Sequence, residues 1–366
     1  MDKPLAGNQL AKLLLIAEGK AGKTDFAAMA AAEGFNVLYL DGDVASQTVA
    51  SLPLDAKQRI YLLKCGDAFG EGGGIEPNYA HFFKDWISKP MIIWNDSRQR
   101  LYSIIDSDKN EEDEFWLLRP ARMDHTCVLV IEYTRLAHSA MQWAANQAGV
   151  DLGEVDERKD MRGIYQAAGE KLTQYLLAIQ RAPCHVICLT HPKEYVKLTP
   201  PTGKTIGNTK EKDMVVAFTK LVPTSSSNNH AFGMSGNFTD VAWMITSVTG
   251  DREIDFRIDA NKICGGHFNA KFKVANRDKN EKPGSGFTFG TLVRKLGGTV
   301  PGKEGAPINH WLTIQTGYEP PKKITPKALV VPRKADSSPA APKKVEGTGM
   351  SVLAGLKLKQ TGPANP

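Results

Sequence analysis

The chain has 366 residues, 42% hydrophobic and 23% charged, proportions that exclude a collagen-like or wholly disordered protein. No run approaches the roughly 18 apolar residues of a membrane span, and the first residues lack a signal-peptide cleavage region, so a cytoplasmic protein is expected. The net charge of +6 sits at one end: the segment from Gly317 to Pro366 holds nine Lys and Arg against three acids, so the rest is balanced and attraction to a polyanion would be local.

In chain order, Leu13–Ala17 predicts a strand and the alanine-rich Lys23–Glu33 a helix that Gly34 stops. Asn36–Leu40 predicts a second strand. Residues Cys65–Asp113 interrupt the pattern with a GEGGG loop, a strand pair at Met91–Asn95 and Leu101–Ile105, and an acidic loop Asp106–Glu114. The β-branched run Thr126–Ile131 reads as a strand buried on both faces. Gly163–Ala182 places Ile164, Leu172, Leu176, Leu177 and Ile179 at helical spacing, and His185–Leu189 predicts a fourth strand. Pro192–Gly236, rich in Gly, Thr, Ser, Asn and Lys, reads as a long loop, functional or disordered. Val241–Thr246 and Glu253–Ile258 predict a hairpin turning at Thr249–Asp251.

This alternation predicts an α/β domain over residues 1–316, with a mostly parallel sheet, an inserted β-hairpin region at 65–113 and the long loop at 192–236. Residues 317–366, rich in Pro and Lys, predict a disordered basic tail with a docking peptide at Met350–Lys359. The five cysteines form no CxxC pair and read as reduced structural thiols.

The sharpest chemical signal is AEGKAGKT, Ala17–Thr24, set between the first strand and the first helix. It has the form of a phosphate-binding loop. Its backbone amides, from Glu18, Gly19, Lys20, Ala21 and Gly22 through Asp25, would surround phosphate oxygens at a helix N-terminus. Lys23 would reach the β and γ phosphates, and Thr24 would offer its hydroxyl to Mg²⁺. Ala17 stands where the motif has its first glycine. The second strand ends in LDGD, where Asp41 and Asp43 could position an attacking water. VLVIE ends in Glu132, an acid able to bind Mg²⁺ through water, though glutamate displaces the carboxylate by about 1.5 Å relative to aspartate. Thr190 and His191 stand at the end of HVICLT, placed to sense a γ-phosphate.

Together these elements resemble the RecA/KaiC-type P-loop ATPases over about residues 10–300. They are similar to the phage and prophage "AAA domain" nucleotide-binding proteins, including RecA-like single-strand annealing ATPases. The resemblance implies an ATP- and Mg²⁺-dependent ATPase acting on DNA in phage replication or recombination, assembled as a ring or filament. It implies Asp43 as catalytic base with Asp41 beside it, Glu132 at the metal, and Thr190 or His191 as sensor. It places single-stranded DNA on the 192–236 loop, with Lys193, Lys197, Lys204, Lys210, Lys212 and Lys220. Lys273 and Arg277, in KFKVANRDK, resemble residues that reach a neighbour's ATP site. The tail would recruit a replication or recombination partner. A ParA-type partition ATPase is the alternative suggested by NVLYLDGDVASQTV, although that class carries a lysine where Gly19 stands. A nucleotide-binding scaffold with little turnover and a small-molecule kinase also fit the loop.

Overall fold

The computed structural model describes residues 9–42, 45–69, 74–102, 112–154, 161–200, 214–225, 227–276, 281, 285–302 and 310–317. The first part of the chain runs β1 (Lys12–Ile16), α1 (Lys23–Ala28), β2 (Asn36–Asp41), α2 (Ala45–Ala50), α3 (Leu54–Lys57) and β3 (Ile60–Lys64). Next come the short β4 (Ala68–Phe69) and β5 (Ile75–Glu76), α4 (Asn78–Ser88), β6 (Ile92–Asn95), β7 (Arg100–Leu101) and β8 (Glu114–Leu118). β9 (Cys127–Glu132) leads into α5 (Tyr133–Ala148), α6 (Arg162–Arg181) and β10 (His185–Thr190). The remainder is β11 (Pro192–Thr199), β12 (Val215–Pro223), α7 (Asn228–Met234), β13 (Asp240–Thr246), β14 (Arg252–Asp255), β15 (Lys271–Val274), α8 (Phe289–Lys295) and β16 (Leu312–Thr316).

Eight strands form one sheet in the order β15-β14-β13-β1-β10-β9-β2-β3. From β13 to β3 neighbours run parallel, while β14 and β15 turn back antiparallel. Parallel strands covered on both sides need apolar residues at every position, and β1, β2 and β10 are buried throughout. Alternate side chains enter two cores. Leu14, Ile16, Leu38, Leu40, Leu129 and Ile131 pack with residues of α4, α5 and α6, whereas Leu13, Leu15, Val37, Tyr39, Val128 and Val130 pack with α1 and α8. β10 lies between β1 and β9, so the glycine loop after β1 and Glu132 at the end of β9 face one crevice from two strands apart.

The predicted first helix is shorter than expected. α1 stops at Ala28, and a separate 3₁₀ turn at Ala31–Glu33 ends at Gly34 with φ 103°. The region expected as an insertion holds a helix that the sequence reading missed, α4, whose Phe82, Phe83 and Trp86 join the main core. Its strands do not form an isolated hairpin either. β6 and β7 pair, but β6 also pairs with β8, and β8 with β16, in a four-stranded antiparallel sheet. Glu114, expected in an acidic loop, begins β8; residues 103–111 lie outside the described set. Tyr61 of β3 meets Trp116 and Trp311 edge-on at 6.4 and 5.4 Å, joining this small sheet to the large one.

Among the described residues the expected long loop at 192–236 is largely regular; residues 201–213 lie outside them. Its ends form an antiparallel ribbon, β11–β12, followed by α7, whose first turn is capped by Ser227 accepting from His230 N at 3.2 Å. Repeated Val, Leu, Tyr and Phe on both arms supply the β-propensity that its polar composition hid. The β13–β14 hairpin is present, with its turn at 247–251. All five cysteines are free. The chain divides into residues 1–319 and 320–366, and the latter, with the expected docking peptide, lies outside the described residues. No helix among the described residues is long and apolar enough to cross a membrane.

Candidate functional site

A cavity of about 780 Å³ opens at the carboxyl ends of β1, β9 and β10. Gly19, Lys20, Ala21, Gly22, Lys23, Thr24 and Asp25 line one wall, and Glu132, Thr134, Arg135, His138, Leu189 and His191 the other. Gln47 and Thr48 of α2, Ser51 just beyond it and Arg252 of β14 complete it.

The glycine loop takes its shape from two left-handed residues, Lys20 at φ 62° and Gly22 at φ 94°. Only glycine satisfies the second position. Besides the dihedral, a Cβ at Gly22 would lie 2.8 Å from Nε of Arg252. Gly19 is different: a Cβ there would meet nothing within 4 Å, so the chain's own packing does not require glycine. Ala17, where the motif has its first glycine, is buried and donates its N–H to the Thr190 carbonyl at 3.1 Å, so it fits as a strand-end residue. Lys23 folds back over the loop, its Nζ donating to the carbonyls of Ala17 and Glu18 at 2.7 and 2.9 Å. Burial lowers its pKa to about 8, against the opposing pull of the Glu132 and Glu18 carboxylates. Such an ammonium is held at the cavity wall without a carboxylate partner bonded to it in the loop, ready to exchange carbonyl oxygens for a stronger anion.

Glu132 meets a residue that the sequence reading passed over. Tyr39, fully buried on β2, donates its hydroxyl to Glu132 Oε1 at 3.0 Å. Burial and then the Glu132 charge push the phenol's pKa well up, so it stays a neutral donor. The Glu132 backbone is pinned as well: its N–H donates to Tyr79 Oη at 2.9 Å, and that hydroxyl donates to the Leu40 carbonyl at 3.0 Å. Among the described residues no three His, Cys, Asp or Glu side chains gather as a metal cluster. The hydroxyl of Thr24 and carboxylate of Glu132 form an oxygen-only pair, which fits a hard cation such as Mg²⁺ that keeps waters and takes phosphate oxygens.

The other expected residues fall in several places. Asp41 is buried and accepts from Ala45 N at 3.2 Å, capping α2, and it does not line the cavity. Asp43 lies outside the described residues. Asp25 pairs with Arg252 at 3.2 Å, with both side chains nearly buried. Thr190 is buried behind the cavity and contacts Thr134 Oγ1 at 3.3 Å, whereas His191 lines it. Lys273 stands on the edge strand β15 with Glu281 at 2.8 Å, and Arg277 lies outside the described residues. Of the site residues missed from sequence, Gln47 alone had a signal, in the string that suggested a partition ATPase. Arg135, His138 and Arg252 carried none, because their approach depends on packing across the sheet.

Lys193, Lys197 and Lys220 are on the ribbon; Lys204, Lys210 and Lys212 lie outside the described residues. Opposed residues share a face and successive rungs alternate. The pairs Tyr195↔Lys220 and Lys197↔Phe218, with Lys193, therefore put three lysines and two aromatic rings on one side. Tyr195 and Phe218 lie 5.9 Å apart between ring centres, and Lys197 Nζ sits 5.6 Å over Phe218. The other side shows Glu194, Val196, Leu198 and Val216. The ribbon's two stems are tied together where they leave the cavity: the His191 carbonyl accepts from both N and Oγ1 of Thr224, at 2.8 and 3.0 Å.

Fold and cavity together define a mixed α/β protein with a mostly parallel central sheet and a polar crevice at its carboxyl ends. No family model matches the chain, and no curated protein matches it significantly.

Proposed function

We propose that the chain is a RecA-like P-loop ATPase that binds ATP with Mg²⁺ and acts on single-stranded DNA. The arrangement that carries this reading is the curled glycine loop between β1 and α1, with Lys23 folded into it and Glu132 across the same cavity, two strands away. Amides of the loop and the α1 N-terminus would hold the phosphates, and Lys23 would leave the Ala17 and Glu18 carbonyls for β- and γ-oxygens. Thr24 and Glu132 would hold Mg²⁺, which when bound neutralises charge building on the phosphates. His191 faces the cavity and begins the segment that becomes the ribbon, so it would report occupancy there to the ribbon's stem. The ribbon's lysine and aromatic face supports the nucleic-acid part: cations for phosphates and rings for unpaired bases. Assembly of several copies, with Lys273 or Arg277 reaching a neighbour's cavity, belongs to the same proposal.

One observation favours a slower nucleotide-binding scaffold. Asp41, a carboxylate expected to position water, is engaged as the cap of α2. The test is Mg²⁺-dependent ATP hydrolysis with and without single-stranded DNA, beside Lys23→Ala. DNA-stimulated turnover that disappears in the variant supports the ATPase. Tight ATP binding without turnover selects the scaffold, and absence of ATP binding overturns both.

A further inference from the structure

We infer that Tyr39 is a positioning residue for Glu132, setting the orientation of the longer carboxylate in the cavity it shares with Thr24, where a divalent cation on the phosphates would need it. This rests on the nucleotide-site reading above. Among the other fully buried tyrosines, Tyr79 donates to the Leu40 carbonyl at 3.0 Å and Tyr175 to the Ala80 carbonyl at 2.9 Å, while the Tyr133 hydroxyl meets the His230 ring at 3.3 Å. Tyr39 instead donates to an acid side chain at 3.0 Å, and that acid lines the same cavity as the Thr24 hydroxyl. Its neighbours on the same face of β2 and β9, Val37, Val128 and Val130, are aliphatic. A phenylalanine would therefore serve the packing, and the hydroxyl is what needs another explanation.

That explanation lies in the side-chain length at position 132. Glutamate has one more rotatable bond than aspartate, so its carboxylate could swing toward solvent or toward Lys23. The bond from Tyr39 selects one orientation, and the bond from the Glu132 N–H to Tyr79 fixes the backbone from which the side chain departs. The contribution of Tyr39 is to orient Glu132 before the cation arrives.

The experiment measures binding of a fluorescent ADP analogue across a Mg²⁺ titration, for the full chain and for Tyr39→Phe, Glu132→Asp and the double variant. In Tyr39→Phe the metal-free ADP affinity is expected to stay within about twofold, while the half-saturating Mg²⁺ concentration rises about tenfold, the scale of a lost hydrogen bond to a charged group. The shorter Glu132→Asp side chain gives up the Tyr39 bond, so adding Tyr39→Phe to it should raise the Mg²⁺ requirement no further. An unchanged Mg²⁺ requirement in Tyr39→Phe, or an undiminished effect in the Asp background, overturns the inference. Should Tyr39→Phe melt early, the Tyr39 hydroxyl proton of the unaltered chain is followed by NMR. A shift on adding Mg²⁺ to the ADP-bound protein supports the role, and none overturns it. Failure of the unaltered chain to bind ADP at any Mg²⁺ concentration would instead remove the nucleotide-site reading itself.

Discussion

The glycine loop and the β11–β12 ribbon both leave the carboxyl ends of neighbouring parallel strands, β1 and β10, yet they are made differently. The loop is held by buried bonds: Lys23 to two carbonyls, Ala17 to Thr190, and Arg252 against Gly22 and Asp25. The ribbon beyond its stem is held mainly by its own ladder, with Val196, Val216 and Phe218 each more than 40% exposed. A substitution in the loop should therefore disturb geometry and chemistry together, whereas one on the ribbon's outer part should change only what the ribbon contacts. Around the base of the ribbon, His191, which lines the cavity, accepts from Thr224, and Tyr133, beside Glu132, shares His230 Nδ1 with Ser225 at 3.3 and 2.6 Å.

The largest expected effect breaks the loop alone. Lys23→Ala should lower ATP turnover by about a hundredfold or more, the scale for removing a preorganised charge at a phosphate, while DNA binding without nucleotide stays unchanged in a filter or anisotropy assay. The complementary break is Phe218→Ala. Losing one stacking ring should weaken single-stranded DNA binding about tenfold and leave DNA-independent hydrolysis intact. Replacing Lys193, Lys197 and Lys220 singly should each reduce the slope of log affinity against log salt by about 0.7. A ribbon variant that abolishes basal hydrolysis would show that the two regions are not separable.

Gly22→Ala sharpens the comparison through stability. A left-handed alanine costs about 1–3 kcal/mol, and its Cβ would also displace Arg252, so a lower thermal midpoint is expected along with weaker nucleotide binding. Alanine at Gly19, where the space is open, should leave the midpoint unchanged. A further effect is one of pH. Lys23 in the free protein titrates at about 8 and is charged below that value. Bound phosphates favour the charged form, so above pH 8 binding must take up a proton. Nucleotide affinity should then fall by up to about tenfold per pH unit between 8 and the ordinary lysine value. Calorimetry in buffers of different ionisation enthalpy would detect the proton.

Much of the scaffold was legible because parallel strands buried on both faces write themselves as apolar runs. NVLYL, TCVLVI and HVICL needed only one residue added or moved at their ends, and the GKT loop was recognisable from its place between strand and helix. The ribbon was not legible: its arms are partly solvated, and the Thr, Lys and Ser around them imitate a loop. Helix α4 was hidden for a related reason, since its aromatic residues lay between a glycine run and a strand pair that drew the whole region into an apparent insertion.

By itself the sequence determined the alternating α/β order, the glycine loop with Lys23 and Thr24, and the acid at the end of β9, because each depends on local spacing. Tertiary structure alone decided which groups meet. Tyr39 reaches Glu132 across 93 positions of chain, and Arg252 reaches Asp25 across 227. Asp41, which the strand-end pattern offered as a catalytic acid, turns to the start of α2, where it accepts from the Ala45 N–H at 3.2 Å. Those choices depend on strand order and on which face of the sheet each side chain enters, and neither is encoded in any single stretch of chain.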